Sequence, residues 1–484
     1  MNSAGVLILI PFIFSLLSFV SGKKWSSIIA LISSVGSLFY FLLLLSAYNV
    51  KTNYVAFGFY YDWIPSIRAS LSFGMDAANL LVLMLTQIVV CLAVLATMVK
   101  GNDRTASYYG LIGLTHTFLN AFFSAQNPMT FLIFFEATLI PVYFLILNFG
   151  GPKRKQAVFK FFIYTVFGGL LMLLAILFYQ SNMFPQLRLD SWADFYQYKL
   201  SLKYQYWLFA AFFIAFAIKA PLFPFHTWQA DLYSQADRPT LMILAALLSK
   251  MGIYGFVRFN FFFIQVVYDW FNFITLLCVI GVVYGALVAW RQKDIIRLIA
   301  YSSLSHIGLM AAGTMTLTNI GMQGAMFAML AHGLAVAGLI FVADVMIRRT
   351  NEHSVDSFSG IARNNPRFAV YFFIILLSAV GLPLTCGFIG EFYLIWALVE
   401  FKFYIGLVAA LTLIFGAAYM LRWYQKTMFG IPSSNIIGFQ KLSLSEDYIF
   451  LILVMLILIL GLFPADWIGF GQFAYKYMNF IPDN

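Results

Sequence analysis

The sequence predicts an all-α polytopic membrane protein of about fourteen spans, on three observations. First, 62% of its 484 residues are hydrophobic and only 10% are charged, whereas soluble domains are about 45–50% apolar. Second, apolar runs of about 18 to 25 residues, each long enough to cross roughly 30 Å of hydrocarbon, recur about fourteen times. Third, two runs are interrupted near their centres beside a charge: one by Pro221 and Pro224 next to Lys219, the other by Gly381, Pro383, Gly387 and Gly390 next to Glu391. Interrupted spans in corresponding positions of two halves mark transporters built from repeats. These are spans 7 and 12, five apart, which predicts two five-span repeats; an odd number of crossings inverts one against the other. The expected organisation is residues 1–104 for spans 1–3, 105–262 for the first repeat (spans 4–8), 263–430 for the second (spans 9–13) and 431–484 for span 14. Polar stretches near 50–72, 181–204 and 348–367 are read as loops too short for a core of their own.

The formal net charge of +10 first reports orientation in such a chain, and nothing in it calls for a nucleic acid. With the N-terminus outside, cytoplasmic loops hold roughly eighteen Lys and Arg and outer loops roughly eight. Lys23, Lys24, Lys153, Arg154, Lys155, Arg291, Lys293, Arg297, Arg348 and Arg349 are among the former. Both termini then lie on the outer side of a bacterial-type inner membrane. Cys91, Cys278 and Cys386 fall in apolar runs without metal-ligand spacing and read as small core residues. The first apolar run, Val6 to Val20, lacks a basic region before it and a convincing cleavage site, so it reads as span 1.

Spans 1 and 2, near 4–21 and 26–47, carry no internal charge and serve packing and boundary. The cluster Tyr61-Asp62-Trp63-Ile64-Pro65 suits the membrane interface. Span 3 opens on Asp76, an acid favoured at the positive end of a helix. In span 4, His116 among Thr115, Thr117 and Asn120 reads as a histidine hydrogen-bonded to neighbours. Span 5 holds Glu136 one turn before Pro141 and no base of its own. It needs a partner elsewhere, or is protonated and bonded to a neighbouring helix, or belongs to a structural ion pair. The basic turn 150–155 suffices as a topology anchor, and Lys160 is shallow enough to reach back to it.

Span 7 carries Lys219. A lysine at mid-span costs about 2.5–3.5 kcal/mol and faces protein or water by default. Pro221 and Pro224 cannot donate, which frees the carbonyls of Ala217 and Ala220 and predicts a broken helix. Pro239 starts span 8, with Lys250 eleven residues on. Span 10 opens with a polar stripe of Ser302, Ser303, Ser305 and His306, as suited to packing between helices as to transport. Span 11 is long, with His332 near its middle and Asp344 near its cytoplasmic end. Two histidines on successive spans suit a proton relay, since imidazole titrates near pH 6.5. Span 14 lies near 447–463, and the aromatics beyond it, Trp467 among them, suit the outer interface.

The groups expected inside the membrane are therefore Glu136, Lys219, Lys250, His306, His332 and Glu391. All exchange protons, whereas arginine would hold its own too tightly. A Glu and a Lys whose separation changes can bind and release a proton near neutral pH. No metal, flavin, iron–sulfur or nicotinamide motif accompanies them, so no cofactor is expected.

In order and spacing, the segments FFEATLIPVYFLILNFGGPKRK, FAIKAPLFPFHTW, LLSKMGIYGFVRF, YGALVAWRQKDIIRLIAYSSLSHIG, MLAHGL and GLPLTCGFIGEF resemble the antiporter-like subunits of respiratory NADH:quinone oxidoreductase (complex I), the M-type above all. The resemblance covers nearly the whole chain. It implies a non-redox, proton-translocating subunit of that enzyme, coupled to quinone reduction elsewhere, with L-like and N-like subunits and lipids as its neighbours and H⁺ as its cargo. It also implies that Glu136 pairs with Lys219, and that Lys250 passes protons to His306 and His332 and on to Glu391. L-like and N-like relatives usually carry lysine where this chain has Glu391, and the L-like type continues into a long lateral helix not found here. The loop after His226 departs from the family, reading Gln229-Ala230-Asp231-Leu232-Tyr233 in place of Leu-Pro-Asp-Ala-His, so no proton-entry role carries over to it. The alternatives are a subunit of an Mrp-type cation/proton antiporter, argued against by Glu391, a membrane subunit of a hydrogenase complex, and a structural scaffold, which gains nothing from buried lysines.

Overall fold

The computed structural model describes residues 3–50, 55–65, 69–99, 104–182, 190–432 and 439–479. It is a helical bundle around one long pole, Asn319–Thr350, whose central 18-residue window is entirely buried. Small residues (Gly321, Gly324, Ala325, Ala328, Gly333, Ala337) let neighbours close in on it. Against the pole pack Leu80–Val99, Ile295–Thr314, Cys386–Phe401, Pro366–Ala379 and the terminal Ala465–Asn479. Arg238–Phe259 is likewise shielded from the periphery. Outer helices such as Lys23–Ala47, Arg154–Ser181 and Ile264–Arg291 instead expose Phe39, Phe159, Phe167, Leu174, Phe273 and Leu276. In water such a surface would drive aggregation; against hydrocarbon it is the expected exterior.

Among the described residues, ten helices are long and apolar enough to cross a membrane. The other expected spans fall on shorter or interrupted helices: Ala4–Val20, Ala106–Phe123, Leu202–Lys219 with Thr227–Gln235, and Pro366–Ala379 with Cys386–Phe401. Both interruptions predicted from proline and glycine are present. They close alike: the Leu222 N–H donates to the Ala217 carbonyl at 2.8 Å and the Leu382 N–H to the Leu377 carbonyl at 3.0 Å. This corrects the expectation that Ala217 loses its partner, because a wider turn supplies a donor from beyond the proline. The next carbonyl, Ile218, accepts from the Trp228 indole at 3.0 Å.

Three further differences concern the polar stretches and the C-terminal region. Described residues between 50 and 75 form an antiparallel hairpin of two strands, Ala56–Ile64 and Ala69–Met75, where a loop was expected. The second strand is buried, and its backbone continues into the bundle through the bonds of Ser72 with Thr130 and Gln126. The stretch after 190 folds into the short helix Trp192–Gln197, started by a reciprocal Ser191–Asp194 cap. Beyond Leu444–Leu462, the expected final span, lies a second helix, Ala465–Asn479, held against the pole where Gly471 meets Gln323.

Charge is concentrated at one end of the bundle. There Asp231 bridges Lys160 (2.9 Å) and Arg297 (3.2 Å), Glu446 holds Arg348 and Arg349 (both 2.7 Å), Asp237 binds Arg104, and Lys426 binds Asp356. Lys160 does reach back to this surface, as its depth suggested.

Candidate functional site

The ionisable residues expected inside the membrane fall into two groups in the bundle. The first is built where span 5 meets the first interruption. Pro141 has no N–H for the Ala137 carbonyl, and the span divides at Thr138 into Pro128–Ala137 and Leu139–Phe149. Glu136 stands just before this division. Lys219 is the last residue of its half-helix, at the end where a cation is favoured, and is 1% exposed. Its ammonium donates to the Phe135 carbonyl at 3.1 Å and sits 4.5 Å from the centre of the Phe135 ring. The two charges lie within electrostatic reach of each other, but no ion pair joins them among the described residues. Glu136 instead occupies a notch in Arg154–Ser181: a β-carbon on Gly169 would come within 2.0 Å of its Oε1, which has no hydrogen-bond partner.

The second group is a row of neighbouring side chains. Lys250, with no exposed surface, donates to His332 Nδ1 at 2.8 Å. The His332 and His306 rings are 5.4 Å apart, and His306 Nδ1 is 2.8 Å from Glu391 Oε1. That last contact is close without being aligned as a hydrogen bond, since both His306 nitrogens lack a bonded partner. Sequence order placed His306 before His332; in space His332 comes first after Lys250. A cavity of about 10 Å³ lies between His306, His332, Ser378, Gly387 and Glu391, on the order of the space one water occupies.

Lys250 owes its direction to a feature that carried no sequence signal. The residues before it, Leu244–Leu248, form a π-helical turn, a departure frequent at functional sites. The Ala245 carbonyl there accepts from both Lys250 Nζ (3.1 Å) and Ser249 Oγ (3.2 Å).

Sequence reasoning also missed a buried arginine. Arg258, on the same helix as Lys250 and with no exposed surface, donates from Nη2 to both carboxylate oxygens of Asp76, at 2.6 and 2.7 Å. Asp76 does cap the start of its helix, accepting from the Ala78 and Asn79 amides, so the expected role is real but incomplete. The available signal was the eight-residue spacing from Lys250, which puts Arg258 on the same helix face. The remaining polar residues are mostly paired. His116 meets Gln87 at 2.9 Å, Gln87 bonds Asn120 at 2.7 Å, Ser302 meets Tyr419 at 3.0 Å and Ser305 bonds the Val282 carbonyl at 2.9 Å, whereas Ser303 has no partner.

Residues 125–416 match the family described as NADH:quinone oxidoreductase/Mrp antiporter, transmembrane. NADH-quinone oxidoreductase subunit M of Rickettsia prowazekii (strain Madrid E) is 34% identical over 461 residues, covering 94% of each chain. Among solved structures, a chain of respiratory complex I from Thermus thermophilus with bound NADH superposes with a TM-score of 0.88 at 27% identity, over 98% of this chain and 100% of that one. A chain of the Mrp complex from Dietzia sp. DQ12-45-1b shares the fold, with a TM-score of 0.87 at 18% identity over 99% and 98% of the two chains. An interrupted helical bundle with buried lysines, matched along almost its whole length by M-type subunits, belongs to the NADH:quinone oxidoreductase/Mrp antiporter family as an antiporter-like subunit of the M type.

Proposed function

We propose that this chain translocates H⁺ as the non-redox M-type subunit of an NADH:quinone oxidoreductase, through Glu136, Lys219, Lys250, His332, His306 and Glu391. The observation that carries this reading is the run of neighbouring ionisable groups from Lys250 past both histidines to Glu391, buried where each charge would be costly without a role. A proton on Lys250 has an acceptor already in contact at His332, and His306 lies between His332 and the final carboxylate. Glu136 acts on Lys219 across space. A proton taken up by either group alters the charge the other experiences, so occupancy is coupled without an ion pair.

The two interruptions close with the same backbone pattern, which supports two repeats, 105–262 and 263–430, framed by residues 1–104 and 431–484. The subunit sits in a bacterial-type inner membrane with its charged end in the cytoplasm and both termini outside. L-like and N-like membrane subunits and lipids cover its apolar flanks, and the redox cofactors belong to other subunits. The acidic Glu391 supports this reading over an Mrp-type antiporter, whose resemblance calls for lysine there.

Lys250→Ala tests the reading in the purified, assembled complex reconstituted in vesicles. Protons translocated per electron pair should fall several-fold, because His332 loses its only charged donor among the described residues. An unchanged proton yield would remove Lys250, and with it the run, from the path.

A further inference from the structure

Glu391 ends the buried run, yet only its Oε1 faces His306. Oε2 has no hydrogen-bond partner and points toward the second interruption and the helix Leu411–Met428: a β-carbon on Gly381 would meet it at 2.6 Å and Leu413 at 3.1 Å. On that same helix, Tyr419 is 1% exposed and within electrostatic reach of Glu391. Its hydroxyl meets Ser302 Oγ at 3.0 Å. Beyond them, at the charged end, lies a cavity of about 210 Å³ lined by Leu298, Lys293, Asp356, Tyr419, Arg422 and Lys426.

Two helix faces lead from this cavity inward. On Ile295–Thr314, Leu298 borders the cavity, Ser302 bonds Tyr419 and His306 contacts Glu391; a spacing of four puts all three on one stripe. On Leu411–Met428, Lys426, Arg422 and Tyr419 form the facing stripe, also at helical spacing. Ser302 and Tyr419 thus stand on facing stripes between the cavity and the helix turns that carry His306 and face Glu391.

We propose that Ser302 and Tyr419 form a proton path joining Glu391 to the cavity between Lys293, Arg422 and Lys426, giving the relay access to the charged end of the bundle. The path rests on the relay reading given above. Each hydroxyl accepts a proton at a lone pair and releases its own, with water completing the step to Glu391, so both are neutral before and after and the net change is one proton gained or lost by the carboxylate. Ser302 and Tyr419 are conductors here, whereas a bond made only for packing would hold two helices together and pass nothing.

The assembled complex in vesicles separates these roles. Tyr419→Phe keeps the ring and removes the hydroxyl; Ser302→Ala removes the other, and Ser302→Thr restores it. The path predicts a several-fold fall in protons translocated per electron pair for the first two and recovery for the third. Arg422→Cys, treated with a bulky membrane-impermeant thiol reagent from the charged side, should lose proton translocation several-fold beyond the equally treated parent, and regain it on reduction. This arm carries the test alone if Tyr419→Phe does not assemble. A labelled Arg422→Cys complex with the parent's proton yield, alongside an impaired Glu391→Gln complex, overturns the path and leaves the relay standing. A parental yield in Glu391→Gln overturns the relay reading, and the path with it.

Discussion

The two interrupted helices share a backbone and differ in where they hold their charge. Each closes by a wide turn that returns a donor to a carbonyl five residues back, Leu222 to Ala217 and Leu382 to Leu377. In the first, the charge is a cation at the end of the incoming half-helix, Lys219, where the backbone dipole is negative. In the second, the charge is an anion, Glu391, early in the outgoing half-helix Cys386–Phe401, toward the positive end. Lys219 faces a carbonyl and a ring; Glu391 faces an imidazole. The break is thus a neutral device for bringing half-helix ends into the bundle, and in this chain each half carries the sign of charge that its dipole favours.

The largest effect is expected at Lys219, which is more fully buried than Glu391. Lys219→Ala should assemble and nearly abolish proton translocation in vesicles. Glu136→Gln should do much the same, and the double change should be no worse than either alone, since the two act through one interaction. Additive losses would show that the groups work separately, and the comparison would lose its first member.

Glu391 comes next. If the carboxylate takes up and releases a proton, Glu391→Gln lowers protons per electron pair several-fold and Glu391→Asp retains part of the yield. If it merely satisfies backbone donors at a helix start, the amide serves as well and the yield is unchanged. Glu391→Lys sharpens the contrast of sign: partial function means that any titratable group suffices, whereas failure means that this end of the half-helix requires an anion.

A smaller effect is expected at Gly169. The added methyl of Gly169→Ala meets the Glu136 carboxyl, the far end of a flexible side chain, so the carboxyl shifts and the helices stay packed. Proton yield should fall partially while the complex keeps the parent's thermal stability. The smallest effect belongs to the charged surface. Lys426 and Asp356 form an exposed pair, and Lys426→Ala should change stability by about 1 kcal/mol or less. Hydrogen bonding to Lys426 holds the Asp356 carboxyl below its usual value of 3.8. A depressed acid stabilises above that value, so this contribution is complete at neutral pH and is lost only as pH falls through the folded value beneath 3.8. Melting curves of parent and Lys426→Ala should therefore differ at pH 7 and converge in strong acid.

The sequence made the deep charges legible because ionisable residues are rare in apolar runs and their depth can be counted from the run's ends. The interruptions were legible for the same reason, since proline and glycine leave a mark that composition does not hide. Other features depend on partners distant in the chain. Arg258 stands near the end of its span and reads as an interfacial residue; Trp192 and Tyr196, over sixty residues earlier, fold across it, and Asp76, still earlier, neutralises it. The π-helical turn at Leu244–Leu248 consists of leucine and alanine, ordinary helix formers. The order of the two histidines is set by the crossing of their helices and not by chain order. The hairpin at 56–75 was masked by aromatic residues that suit an interface equally well.

The Asp76–Arg258 pair also determines what kind of motion can accompany transport. Separating a buried ion pair costs about 3–5 kcal/mol, so the far end of the helix that carries Lys250 behaves as a fixed pivot. The near end, with its π-helical turn, has the looser winding. A piston-like displacement of this helix would have to pull Arg258 from Asp76 at every cycle, whereas a proton passing from Lys250 to His332, already in contact at 2.8 Å, would leave the pivot intact.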